Sequence, residues 1–102
     1  VNKFLWPQDY AQMLVNLNGT NPVSTGYTAS TFDPRINALA GAAGSGGTTV
    51  EYLDYIVSSN THRQPVQARN DVRIIRSAAD PVFMTWDLSD HFPVMGQFNY
   101  TP

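Results

Sequence analysis

The 102-residue chain contains no cysteine. A disulfide framework is therefore excluded, and so is a metal site built on thiolates. No apolar run approaches the roughly 20 residues that a membrane-spanning helix needs. With 42% hydrophobic residues the chain can nevertheless bury a core of the size expected for one small domain. Because it opens on Val1 rather than methionine, we expect a processed or trimmed product.

Charged residues are also few. They make up 14% of the chain, and the net charge is −2. The six basic residues are Lys3, Arg35, Arg63, Arg69, Arg73 and Arg76. This balance does not predict the basic surface that nucleic-acid binding requires, so we expect no nucleic-acid partner.

One helix is predicted near the start, from about Pro7 to Leu17. Proline suits the first turn of a helix, and apolar residues recur at i, i+3, i+4 and i+7 from Tyr10. The pair Asn18 and Gly19 predicts where the helix ends. We expect the apolar stripe to face the core.

Two segments have the composition of loops. Residues 19–31 are rich in Gly, Thr, Ser, Asn and Pro, which predicts a loop with one short strand. Residues 41–47 are mostly Gly and Ala, which is typical of a surface loop. No Lys-Ser or Lys-Thr pair follows them, so a phosphate-binding P-loop is excluded.

Alternating apolar residues predict about four strands after the helix. The strongest lies at 51–59, with further strands over 66–77, before the corner at residue 88 and over 94–100. We expect them to be antiparallel. One helix followed by such strands predicts an α+β fold, an α/β sandwich rather than a helical bundle.

Asp54 is predicted to lie among large apolar residues of the strand at 51–59. A carboxylate there is costly unless it is paired. A structural hydrogen bond to a nearby turn would satisfy it. So would an imidazole, which the carboxylate would hold in one tautomer and make more basic. Adjacent antiparallel strands would bring Asp54 to His91, and the two explanations stay open at this point.

Asp90 and His91 lie side by side where a loop enters the last strand, a rigid place to hold a reactive group. The ordinary alternative is a capping Asp beside a surface His, since one such pair is a weak signal. His62 has no acidic or histidine neighbour at ligand spacing, and we expect a solvated loop residue there.

Several of these stretches together resemble the bacterial neutral sphingomyelinase C family of the endonuclease/exonuclease/phosphatase superfamily. The residues that carry the resemblance are Val1 to Lys3, Tyr10 to Leu14, Leu17, Asn18, Thr31 to Pro34, Asn37, Leu39, Ala40, Glu51 to Ile56 and Ser89 to Pro93. The resemblance covers essentially the whole chain. It implies the C-terminal part of a DNase I-like four-layered sandwich with mostly antiparallel strands.

The resemblance implies a phosphodiesterase that hydrolyses sphingomyelin to ceramide and phosphocholine. His91 would be the general base that activates water. Asp54 would hydrogen-bond the other ring nitrogen, and Asp90 would hold the water or the metal shell. The implied cofactor is Mg²⁺, with other divalent ions as alternatives and with His91 or Asp90 as candidate ligands.

The resemblance also implies that residues 1–102 are the C-terminal half of a single domain. In the family a Gly-Asp-Leu/Met-Asn motif directly precedes Val-Asn-Lys, and the metal-binding Glu lies earlier still. We therefore expect the N-terminal half of the same enzyme to be a partner of this chain. The resemblance also implies a secreted bacterial enzyme that contacts a membrane surface peripherally. The tight turn predicted at 77–81 replaces the long aromatic hairpin of family members that attack host membranes.

Two other functions stay open. One is another enzyme of the superfamily, such as a nuclease or an inositol-phosphate phosphatase. The other is a non-catalytic binding module with the same fold. The presence of Asp54, Asp90 and His91 together counts against the module, because a protein without activity could lose any of them without harm to its packing.

Overall fold

The computed structural model describes residues 1–41, 47–74 and 88–102. Within these residues the chain forms one helix, five short strands and long irregular segments. The helix α1 spans Pro7–Leu17. The strands are β1 (Gly19–Thr20), β2 (Val23–Gly26), β3 (Ser58–Ser59), β4 (Gln67–Val72) and β5 (Val94–Asn99). This mixture of a helix with small sheets confirms the predicted α+β class.

Helix α1 has the bounds that the sequence predicts. Pro7 occupies the first turn, and Asn18 ends the helix in the left-handed conformation, with φ of 49°. Tyr10 is buried, and its hydroxyl donates a hydrogen bond to the side chain of Asn21 at 2.6 Å. Leu17 is exposed, so the apolar stripe reaches the core only through the first part of its length.

The strands form two sheets. β1 pairs with β3 in antiparallel orientation, and a second sheet has the order β2-β4-β5. In that sheet β4 and β5 are antiparallel, but β2 and β4 are parallel. The antiparallel pairing of β4 with β5 agrees with the prediction for the strands after the helix, whereas the parallel pair involves β2, which lies in the loop predicted over 19–31. That loop contains two short strands rather than one.

The prediction of a strand at 51–59 is wrong for most of these residues. Only Ser58–Ser59 forms a strand, and Glu51 makes an isolated antiparallel bridge to Phe32. The side chain of Asn70 holds this segment instead: its Oδ1 accepts from the backbone N–H of Ile56, and its Nδ2 donates to the Ile56 carbonyl, both at 2.8 Å. A side-chain amide thus takes the place of a neighbouring strand, and alternation in the sequence does not reveal that.

Among the described residues, seven polar or charged residues are buried, against five hydrophobic ones. A small apolar cluster consists of Tyr52, Val72 and Phe92, with Tyr55 packed against it. The buried polar side chains are Asn2, Ser30, Thr31, Asp33, Asn37, Asn70 and Asp71. Buried polar groups are stable only when hydrogen-bonded, so many of the tertiary contacts here are directional rather than hydrophobic.

Some predictions fall outside the described residues. They are the centre of the loop at 41–47, the end of the strand over 66–77, the turn at 77–81 and the strand before the corner at residue 88. The strand predicted over 66–77 is present as β4, Gln67–Val72, and the last predicted strand is present as β5.

Candidate active site

The structure brings Asp54 and His91 into direct contact. His91 Nδ1 lies 2.7 Å from Asp54 Oδ2, a hydrogen-bonding distance, and both side chains are partly exposed. A carboxylate that accepts from Nδ1–H favours the tautomer in which Nε2 keeps its lone pair. Within the described part of the chain, no group hydrogen-bonds Nε2. The contact therefore leaves the lone pair of Nε2 available to accept a proton.

The route by which the two residues meet differs from the prediction. Neither lies in a regular strand, so they are not neighbours in an antiparallel ladder. Each belongs to an irregular segment that is hydrogen-bonded to Thr31, whose amide donates to the Glu51 carbonyl at 3.2 Å and whose carbonyl accepts from Phe92 N–H at 2.7 Å. The next residue, Phe32, places its ring edge-on to the His91 imidazole, with centroids 5.3 Å apart.

The corner before His91 is held by Asn37. Its Nδ2 donates to the carbonyl of Ser89 at 2.9 Å, and its Oδ1 accepts from the amides of Leu39 and Ala40 at 3.0 and 3.3 Å. Asn37 is fully buried. One amide side chain therefore satisfies the turn at 38–40 and holds the backbone that leads to His91.

Asp90 is exposed and lies beside the pair without joining it. Its carboxylate accepts a long hydrogen bond of 3.5 Å from the hydroxyl of Ser89, which in turn accepts from His91 N–H at 3.2 Å. Asp90 therefore lies at the surface next to the pair. His62, as predicted, lies exposed in a loop.

A cleft of about 340 Å³ opens beside the pair. Its lining residues are Asn37, Asp54, Leu88, Ser89, His91, Phe92, Pro93 and Val94. Its walls are mainly apolar, as is common for ligand sites.

Ionisable groups around this site have shifted pKa values. Arg35 donates to Asp33 through Nε at 2.9 Å and through Nη2 at 2.8 Å, which lowers the pKa of that carboxyl and raises the pKa of the guanidinium. Burial raises the pKa of Tyr55 to about 12, so its hydroxyl stays protonated and donates to the Tyr52 carbonyl. Burial also lowers the pKa of Lys3, whose ammonium lies 3.8 Å from the centre of the Tyr52 ring.

The described residues do not by themselves form a metal centre. Within 1–41, 47–74 and 88–102, no three carboxylate or imidazole groups cluster at metal-binding distance. Mg²⁺ prefers about six oxygen ligands. The candidate ligands His91 and Asp90 therefore do not complete a site by themselves.

The sequence does not predict which residues support the Asp54–His91 pair. In the sequence, Thr31, Phe32 and Asn37 stand out only among the residues that carry the resemblance. A buried polar residue has no periodic signature of its own, so the hydrogen bonds of Thr31 and Asn37 become visible only when segments far apart in sequence are seen together.

No protein-family model matches the chain. Two curated relatives do: a phospholipase C from Staphylococcus aureus, 34% identical over 92 residues, and a sphingomyelinase C from Bacillus cereus, 36% identical over 93 residues. Each alignment covers 84% of this chain but only 27% of the relative. The chain thus spans about a quarter of the length of the curated relatives it matches.

The fold of this chain is also similar to parts of solved structures. Beta toxin from Staphylococcus aureus superposes with a TM-score of 0.84 at 32% identity, covering 97% of this chain and 34% of that protein. Sphingomyelinase C from Streptomyces griseocarneus superposes at 0.79 with 28% identity and covers 97% and 35%. A mutant of the beta toxin, whose structure contains bound magnesium ions, superposes at 0.77 with 30% identity, covering 97% and 34%. In sequence and in fold, the chain is therefore similar to a segment of these bacterial proteins that makes up about a quarter to a third of their length.

Proposed function

We propose that this chain is the C-terminal part of a phosphodiesterase domain that hydrolyses sphingomyelin to ceramide and phosphocholine. The observation that carries the proposal is the 2.7 Å contact between His91 Nδ1 and Asp54 at the mouth of a cleft. The similarity to sphingomyelinases C supports the choice of substrate.

In this proposal His91 is the general base. Its Nε2 takes a proton from water while the water oxygen attacks phosphorus, and the bond from phosphorus to the ceramide oxygen breaks. The leaving ceramide oxygen takes up a proton from solvent, and the imidazolium returns its proton to solvent, so that the products are ceramide and phosphocholine. An imidazole suits this step because a useful fraction is unprotonated near neutral pH.

Asp54 has an orienting and electrostatic role in this proposal. It fixes the ring through Nδ1 and stabilises the imidazolium that forms when Nε2 takes the proton. Asp90, exposed at the rim, holds the attacking water or a water of the metal shell. Bound Mg²⁺ would neutralise the phosphodiester charge. Its main ligands would come from residues other than those described, in keeping with the incomplete ligand set here.

The surface of the chain supports the proposal that it is part of a domain. Fourteen large apolar side chains are exposed in the described residues, whereas five apolar residues are buried. Trp6, Val15, Val23 and Val66 are each more than 60% exposed. Exposed apolar area on this scale is costly for an isolated chain and is typical of a surface that another element covers. The N-terminal half of the same enzyme is the proposed cover.

The location of the enzyme is part of the same proposal. The substrate is a phospholipid, so the enzyme meets a membrane surface peripherally, and it is secreted. Within the described residues no helix is both long enough and apolar enough to cross a bilayer.

The test is release of phosphocholine from sphingomyelin micelles by the intact enzyme. We expect release with Mg²⁺, loss of release with EDTA and recovery when Mg²⁺ is added back. His91→Ala should abolish release. His62→Ala is the matched control, because His62 is an exposed loop histidine and its loss should leave the rate unchanged.

Other outcomes would redirect the proposal. One such outcome is that the wild-type enzyme releases no phosphocholine and instead hydrolyses a nucleic acid or an inositol phosphate. That result would support another enzyme of the superfamily and would contradict the proposed lipid substrate. If it binds a partner equally well with and without chelator and hydrolyses none of these, the chain is part of a binding module.

A further inference from the structure

Thr31 makes an unusual pair of contacts with the two segments that carry the site. Its Oγ1 accepts a hydrogen bond from Leu53 N–H at 2.9 Å, and its carbonyl oxygen accepts from Phe92 N–H at 2.7 Å. Leu53 directly precedes Asp54, and Phe92 directly follows His91. A single residue is thus bonded to the backbone next to each member of the pair.

Water cannot easily replace these hydrogen bonds, because the residues that form them are buried. Thr31 is fully buried, and Phe92 is buried in the apolar cluster. A buried N–H that loses its acceptor keeps the whole cost of its desolvation. The N–H of Thr31 donates a hydrogen bond to the Glu51 carbonyl oxygen at 3.2 Å. This third hydrogen bond also restrains the position of Thr31.

We infer that Thr31 is a positioning residue for the Asp54–His91 pair. It touches neither side chain and acts through the backbone, by fixing the separation of the two segments at which Nδ1 meets the carboxylate. The inference rests on the proposed function, because it assigns Thr31 to the reaction of that pair. Small errors in the placement of reacting groups are expensive, so a shift of the Asp54 segment should reduce turnover rather than substrate binding.

The decisive variant is Thr31→Val, which keeps the shape of the side chain and removes the acceptor for Leu53 N–H. We expect kcat for phosphocholine release by the intact enzyme to fall about tenfold, with KM changed less than about twofold. Thr31→Ser restores the hydroxyl and should recover most of the rate. Thr25→Val is the matched control: Thr25 bonds the side chain of Asp71 in the sheet β2-β4-β5, outside the site.

A double-mutant cycle separates positioning from general destabilisation. In the Asp54→Asn background, Thr31→Val should cost less than about twofold, because the group it positions is already lost. A loss of the same size in both backgrounds would overturn the inference, and so would a folded Thr31→Val enzyme with the wild-type kcat.

Two measurements do not depend on the proposed activity. The low-field NMR signal of the hydrogen-bonded His91 Nδ1–H, assigned by its absence in His91→Ala, should weaken or shift in Thr31→Val and stay in place in Thr25→Val. If it stays in both variants, the inference is wrong even when the enzyme is active. If no phosphocholine is released by wild type but this signal responds, the proposed function fails and the positioning role stands.

Hydrogen exchange decides the case if Thr31→Val does not fold. In the wild-type protein the amides of Leu53 and Phe92 should exchange slowly and through a common opening, since one residue accepts from both. Exchange of the Leu53 amide at the rate of an exposed loop would contradict the inference.

Discussion

Two regions of this chain are stabilised in different ways. In the sheet β2-β4-β5, backbone groups pair with backbone groups along regular ladders, and β2 is exposed along its whole length. In the site region, which consists of residues 30–41, 51–57 and 88–93, buried side chains bond the backbone instead. Thr31, Asn37 and Asn70 each hold a segment in this way.

Because of this difference, the two regions should tolerate different kinds of substitution. Ladder hydrogen bonds do not depend on side-chain identity, so the sheet should accept many substitutions while its backbone geometry stays intact. The site region depends on particular polar atoms, since each buried group that loses its partner costs about 1–3 kcal/mol. Substitutions in the two regions should therefore fail for different reasons.

The largest expected effect is that of Asp54→Asn on activity. The partly exposed side chain should accept an amide without loss of the fold. Turnover should nevertheless fall by about 10²–10⁴, because the amide offers the imidazole the wrong hydrogen-bond partner. Phosphocholine release by the intact enzyme measures it, with Asp9→Asn on the exposed first turn of α1 as control. Unchanged turnover would remove Asp54 from the mechanism.

Gly26→Ala probes the backbone of the sheet. Gly26 has φ of +119°, and a Cβ there would collide with the backbone of Val72. We expect a loss of about 3 kcal/mol or more in the free energy of unfolding, measured by urea denaturation of the intact enzyme. Gly19→Ala is the control, because its Cβ would meet only the side chain and carbonyl of the 57–58 segment at 3.2 Å or more. Equal costs at both positions would contradict the explanation.

Asn70→Leu tests the amide that replaces a strand. Leucine has nearly the same shape but leaves the N–H and C=O of Ile56 without partners. The expected loss is about 2 kcal/mol in the free energy of unfolding. Asn99→Leu removes an exposed side-chain hydrogen bond to Gln67 and should cost much less. If both variants unfold at the same urea concentration, side-chain support is not what holds the segment at 51–57.

The smallest effect concerns pH. Arg35 lowers the pKa of Asp33, so the folded state binds a proton there less readily than the unfolded chain. This stabilisation is present above the unfolded value of about 3.9 and is lost as pH falls through the lower, folded value. Arg35→Gln should therefore lower the urea midpoint at pH 7, and the difference from wild type should shrink towards acid. Arg63→Gln, an exposed control, should show no such trend; a constant difference for Arg35→Gln would be evidence against the assignment.

Prediction from sequence succeeded where the signals are local. Helix α1 was predicted with the observed bounds, because Pro7, the apolar spacing and Asn18 all act within a few residues of one another. It failed at 51–57, where alternation is present but the partner is the side chain of Asn70. The parallel pairing of β2 with β4 was missed for the same reason, since it joins segments more than 40 residues apart.

For the site, the sequence by itself determined the chemical groups: a carboxylate at 54, an acid and an imidazole at 90 and 91, and the motifs that resemble sphingomyelinases C. The catalytic roles of these residues stay predictions. Only the tertiary structure decided that Asp54 and His91 touch, that Asp90 lies apart, and that Thr31 and Asn37 hold the segments in place. The reason is physical. Residue types set which hydrogen bonds are available, whereas burial and the packing of distant segments decide which of them form.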